Sequence, residues 1–145
     1  MEPGQSLKIY AVCCVLLFIK MFATGMVQGA IRSKTKAYLI PEDAKMIGKT
    51  EPVTHEPIEI IRCNNAFRND FENIPIFLFM ALVYVMLNCW DRGSLIYFGT
   101  FTFARAMHTI CYIKGIQPGR SISYGVGILM SFIVAGHIIY QVFTR

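Results

Sequence analysis

The sequence predicts an all-α integral membrane protein, folded as an up-down bundle of four transmembrane helices. Of its 145 residues, 54% are hydrophobic and only 16% charged, with a mean hydropathy of +0.47. A soluble domain usually carries about a quarter charged residues. The apolar residues gather into four runs, each reaching the roughly 20 residues that a helix needs to cross about 30 Å of hydrocarbon. A buried soluble bundle is the competing explanation, and it needs far more solvated surface than this chain offers.

The first span is expected over about 9–31, broken by Lys20 and Gln28. The run Ile9–Ile19 has the length of a signal-peptide core. However, Glu2 nearly cancels Lys8, no small-x-small site follows, and apolar residues continue past Lys20, so an uncleaved span is expected. A long loop over about 32–61 holds Pro41, Pro52, Pro57 and most of the acidic residues. The second span, about 62–90, starts polar through "RNDFEN" and then turns apolar in "IPIFLFMALVYVMLNCW". A tight turn around "NCWDRGS" makes it an antiparallel neighbour of the third span, about 94–114, which is interrupted by Arg105 and His108. In "KGIQPGR", Gly115 suits a helix C-terminus and Pro118-Gly119 a turn. The last span, about 121–143, contains His137. The chain, 1–145, reads as a single membrane domain without repeats.

Charge sets the expected orientation. Arg32, Lys34, Lys36, Lys45, Lys49 and Arg62 flank or fill the first loop, and Lys114 and Arg120 the third, whereas only Lys8, Arg92 and Arg145 lie on the other side. The first and third loops are therefore expected to be cytosolic and both termini lumenal. The formal charge of +5 is mostly this topology signal, and nucleic acid is not an expected partner. The five cysteines show no C-x-x-C spacing and read as buried thiols. His55, His108 and His137 sit on separate segments and form no metal cluster.

The polar groups inside the spans carry the functional information. A charge in hydrocarbon costs about 2.5–3.5 kcal/mol on insertion scales, so such groups face an interior and pair, or mark a site. At helical spacing Asn65, Arg68, Asn69 and Glu72 share a sector, with Arg68 and Glu72 placed to pair at i,i+4. This face reads as a functional site. Asp70 points away from it and reads as a structural ion-pair partner, with Arg105 a candidate to meet it. Arg105, His108 and Tyr112 cluster on the third span, and Ser121, Tyr124 and Ser131 on the fourth, while His137 reads as a packed or interfacial histidine. For Arg120 and Ser121 two readings stand level: a positive-inside residue beside a helix cap, or a guanidinium at a helix N-terminus holding a thiolate or carboxylate.

Several motifs occur together and in order: "IKM" at 19–21, "KAYLIPED" at 36–43, "RNDFENI" at 68–74, "ARAMHTICY" at 104–112 and "GRSISY" at 119–124. In this combination, which covers nearly the whole chain, the sequence resembles the MAPEG family, the membrane-associated proteins of eicosanoid and glutathione metabolism. The resemblance implies a homotrimer of four-helix subunits in the endoplasmic reticulum membrane. Glutathione would bind between neighbouring subunits near the cytosolic face, through Arg32, Arg68, Asn69, Glu72, His108, Tyr112, Arg120, Ser121 and Tyr124. Glutathione has two carboxylates and one ammonium, which suits several arginines and one carboxylate such as Glu72. Catalysis would fall to Arg120, Ser121 and Asp43. The activity implied first is glutathione-dependent isomerisation of a prostaglandin endoperoxide to prostaglandin E, favoured by the serine at Ser121. Glutathione transfer to apolar electrophiles, with reduction of lipid hydroperoxides, is the alternative, and a non-catalytic lipid-binding scaffold the second. The family pattern also has its proline one position after Pro75 and a tyrosine at Phe22.

Overall fold

The computed structural model describes residues 4–144. Glu2 and Arg145, which entered the charge reading above, lie outside the described residues. Four long helices pack side by side: α1 (Gln5–Thr35), α3 (Ile58–Met86), α4 (Asp91–Lys114) and α5 (Gln117–Thr144), with a short α2 (Pro41–Asp43) in the first loop. α2 continues into one wider π-helical turn, Ala44–Gly48. Three of the long helices, α1, α3 and α5, are long and apolar enough to cross a membrane.

The burial pattern explains why α4 is less apolar. α1 buries one stripe, Ser6, Cys13, Leu17 and Thr24, and leaves Phe18, Ile19, Phe22 and Met26 exposed. α3 likewise buries a stripe at spacings of three and four residues, from Ile60 to Tyr84. α4 instead buries residues in several directions, including Phe98, Phe101, Arg105, His108 and Cys111, because α1, α3 and α5 all pack against it. A helix surrounded by protein can carry Arg105 and His108 where a lipid-facing helix cannot. Its apolar half is an aromatic slab in which Phe77 stacks on Phe101 at 3.6 Å between ring centroids and Phe98 meets Phe77 and Tyr84 edge-on.

Side-chain contacts give the direction of each helix. Ser6 donates to Asp91 at 2.5 Å, so α1 and α4 start at the same end. Lys20 reaches Asp70 and Gln28 reaches Asn64, so α3 runs antiparallel to α1. Tyr97 pairs with His137 at 3.1 Å, so α5 runs antiparallel to α4. His137 is thus a packed histidine, also in ring contact with Tyr84 and Trp90.

Helix ends differ from the expected spans in an understandable way. α1 extends beyond 9–31 at both ends, since a helix need not stop where hydrocarbon does. α3 starts directly after Pro57 and ends before Asn88, which takes a left-handed conformation at φ 49°. Pro75 lies within α3 without ending it, beside a groove of about 410 Å³ between α1 and α3 lined by Tyr10, Leu17, Met21, Pro75 and Leu78. The expected turn at Pro118-Gly119 is instead the first turn of α5, where a proline has no hydrogen bond to lose. Gly115 ends α4 as expected, at φ +72°, with Ile116 N–H donating to the Cys111 carbonyl at 2.8 Å.

The Arg62 guanidinium covers Gly115, 2.9 Å from where a Cβ would stand. That flexible side chain can give way, but the left-handed backbone cannot be relieved. Gly115→Ala is therefore expected to cost about 1–2 kcal/mol, seen as a fall of about 2–8 °C in Tm for protein in detergent. An unchanged Tm would show that the α4–α5 link adopts another conformation.

Candidate functional site

The alternating helix directions bring the C-terminal halves of α1 and α4 and the N-terminal halves of α3 and α5 to one end of the molecule, together with the first loop. Every candidate site residue belongs to that end. Within it they form separate groups, organised around one buried carboxylate.

Asp70 is completely buried, and both of its oxygens are saturated. Oδ1 accepts from Arg105 Nε at 3.2 Å and Nη2 at 2.5 Å. Oδ2 accepts from Lys20 Nζ and from Thr109 Oγ1 at 3.1 Å. No lone pair is left for a ligand, so Asp70 is structural, with Arg105 as the expected partner. Lys20 and Thr109 were not anticipated in this role. The signal for Lys20 was its position as the lone charge in an apolar span; that for Thr109 was absent.

Arg105 Nη2 also donates to Asn69 Oδ1 at 2.7 Å, which fastens one candidate residue to the buried cluster. Arg68 and Glu72 make their expected i,i+4 pair at 3.1 Å. Their side chains are 82% and 56% exposed, on the outer wall of the helix pack. Arg32 pairs with Glu56 at 2.6 Å, and Glu56 also accepts from Asn64 at 2.9 Å, tying the end of α1 to the start of α3.

A second cluster joins α4 to α5. His108 is buried, in ring contact with Tyr112 at 5.6 Å and Tyr124 at 6.0 Å. The Arg120 guanidinium carbon lies 4.6 Å from the centre of the Tyr112 ring, a cation–π distance. His108 Nδ1 is buried and finds no hydrogen-bond partner among the described residues. A buried polar atom left bare is costly, and a ligand or water is its natural partner.

Ser121 is exposed and lies one turn inside α5, because the helix already begins at Gln117 and the Arg120 N–H is bonded to the Ile116 carbonyl at 3.1 Å. It is therefore no helix cap, and the reading of Arg120 and Ser121 as the helix N-terminus is corrected. Any thiolate held here relies on the guanidinium and hydroxyls rather than on free backbone amides. Asp43 is half-buried in α2 and makes no side-chain hydrogen bond or ion pair with Arg120 or Ser121 among the described residues. A single chain thus assembles His108, Tyr112, Arg120 and Tyr124, and links Asn69 to Arg105. It leaves Arg32, Asp43 and the Arg68–Glu72 pair outside that cluster, with Ser121 exposed next to Arg120 on α5.

These features define a class: a helical membrane protein with a donor-rich polar site at one end of an otherwise apolar helix pack. The comparisons with known proteins sharpen this. The sequence model of the MAPEG family matches residues 10–140, and the chain belongs to that family. It is 34% identical over 142 residues to prostaglandin E synthase of Equus caballus, covering 97% of this chain and 92% of the relative. It is 35% identical over 143 residues to prostaglandin E synthase of Mus musculus, covering 98% and 93%. Microsomal glutathione S-transferase 1 of Homo sapiens is 31% identical over 124 residues, covering 81% and 79%.

Two carboxylates on α3 are expected to behave in opposite ways. Asp70→Asn leaves Lys20 and Arg105 without a counter-charge and should cost about 3–5 kcal/mol of stability. Arg68→Ala breaks only a pair that is exposed on the single chain and should cost about 0–1 kcal/mol in protein dissociated to single chains and free of ligand. Thermal unfolding of both variants in detergent checks the contrast; similar losses would refute it.

Proposed function

We propose that this chain is a glutathione-dependent membrane isomerase that converts a prostaglandin endoperoxide to prostaglandin E. All four long helices span the membrane as one up-down bundle in the endoplasmic reticulum, with lumenal termini and the site near the cytosolic face. Three such subunits form the enzyme. The observation that carries the reading is the gathering of His108, Tyr112, Arg120 and Tyr124 at the same end as Asn69, Arg68 and Glu72, in a chain whose relatives include prostaglandin E synthases. The outward-facing Arg68–Glu72 pair supports the trimer, since charges on the wall of an apolar pack gain most from cover by a neighbouring subunit.

The residues present fit glutathione. The bare Nδ1 of His108 offers a buried acceptor or donor, Arg68 and Arg32 suit carboxylates, and Glu72 suits the ammonium. When bound, glutathione supplies a thiolate able to open the endoperoxide O–O bond. An unassisted cysteine thiol has a pKa near 8.5 and is mostly protonated at neutral pH, so the protein must favour the anion. Arg120 does so by charge, and its stacking on Tyr112 fixes the guanidinium plane. The hydroxyls of Tyr124 and Ser121 add donors on the same turns of α5. Asp43, on the first loop, would be the base that takes the proton from the oxygen-bearing carbon; that C–H electron pair would become the carbonyl as the sulfur–oxygen bond breaks and the thiolate departs unchanged, while the other endoperoxide oxygen takes up a proton as the hydroxyl. The endoperoxide enters sideways from the bilayer, so its apolar chains never cross water.

Glutathione transfer to apolar electrophiles, with peroxidase activity, is the second reading. It is favoured by one observation: Asp43, which only the isomerase needs as a base, makes no side-chain hydrogen bond or ion pair with Arg120 or Ser121 among the described residues.

Product analysis of purified protein given glutathione and prostaglandin endoperoxide tests the proposal. Prostaglandin E should form, with activity lost in Arg120→Ala and weakened in Ser121→Gly and Asp43→Ala. Conjugation of a general electrophile without prostaglandin E would replace it with the second reading. Glutathione at about 100 times its Kd should also stabilise the protein by about 2.7 kcal/mol. No rise in Tm would overturn both readings.

A further inference from the structure

Asn69 presents an ambiguity that its neighbour resolves. An asparagine side chain has a carbonyl oxygen that accepts and an amide nitrogen that donates, and which one faces a ligand decides what it can bind. Arg105 has donors only. Its Nη2 lies 2.7 Å from the Asn69 side chain and 2.5 Å from Asp70, so the Asn69 oxygen must turn inward to meet it. The amide Nδ2 then turns away from the buried cluster, and it makes no hydrogen bond among the described residues. Arg105 itself cannot swing away. It is 1% exposed and held to Asp70 through two nitrogens, and Asp70 is in turn held by Lys20 and Thr109.

We infer that Arg105 is a positioning residue for glutathione, holding Asn69 so that its amide N–H₂ points at the ligand as a donor. This rests on the glutathione reading above and deepens it. Asn69 meets an acceptor of glutathione, a carboxylate or peptide carbonyl, and not its ammonium. The ammonium is left to Glu72, the one carboxylate on that face. Asp70, neutralised by Lys20, takes part only by keeping Arg105 in place, and Thr109 adds stability to that cluster without being needed for the aim of Asn69.

The test is a double-mutant cycle read by glutathione binding to the detergent-solubilised protein. Arg105→Lys keeps the charge beside Asp70 but has no fork with which to reach Asn69 as well. Asn69→Asp keeps the partner of Arg105 but removes the outward donor. Each is expected to weaken glutathione affinity about tenfold, the usual scale of one hydrogen bond to a charged group. KM should rise about tenfold, with kcat changed less than about twofold, as for loss of uniform binding. The double variant should bind about as weakly as either single one, because Arg105 acts through Asn69. Thr109→Val removes a donor from Asp70 without touching Asn69, and should lower Tm while leaving glutathione affinity unchanged.

Losses that multiply to about a hundredfold in the double variant would overturn the inference. So would wild-type affinity in Asn69→Asp, or a loss in Thr109→Val equal to that in Arg105→Lys, which would reduce the effect to general loosening. Should Arg105→Lys fail to fold, Asn69→Asp against Thr109→Val decides, since binding must fall in the first and not in the second. Wild-type protein that bound no glutathione would overturn the reading of the whole site. Binding without the coupling would overturn this inference alone.

Discussion

The carboxylate of Asp70 is the interaction on which the rest of the structure depends. Deep in a helix pack it can exist as an anion only if charge and hydrogen bonds surround it, and it recruits them from two neighbouring helices. Lys20 arrives from α1, Arg105 and Thr109 from α4. One residue therefore sets the height of α1 and α4 against α3, which apolar packing alone would leave free to slide. The cluster carries two cations for one anion, and the second cation is accommodated because Arg105 also reaches the neutral oxygen of Asn69.

This anchor has a consequence for the site. Arg105 spans the boundary between a saturated structural cluster and the open polar face of α3. On one side lies Asp70, which has no capacity left for a ligand; on the other lie Asn69, whose oxygen Arg105 holds, and the exposed Arg68–Glu72 pair. The same division appears on α4 and α5, where buried His108 keeps a bare nitrogen while Arg120 rests on Tyr112. Rigid helices joined by a short link hold these groups, so the polar end is set in shape before any ligand arrives. Of the remaining candidates, Ser121 is exposed beside Arg120 on α5, and Arg32 is tied to Glu56.

Much of this was legible from the residues in order. Four apolar runs of sufficient length announced the long helices, and helical spacing announced the Arg68–Glu72 pair and the clustering of His108 with Tyr112. Gly115 was legible as a helix end because few other residues accept a positive φ. The start of α5 was not, since Pro118-Gly119 fits a turn and the first turn of a helix equally well.

By itself, then, the sequence determined the helices, the membrane-spanning length and apolarity of three of them, and which polar groups share a helix face, because these follow from composition and from local spacing at 3.6 residues per turn. Only the tertiary structure decided that α4 is the interior helix, that Lys20 and Thr109 complete the shell of Asp70, that Ser121 lies inside a helix, and which way the Asn69 amide turns. Each of these depends on contacts between residues on different helices or on where a helix begins, and no local pattern records them.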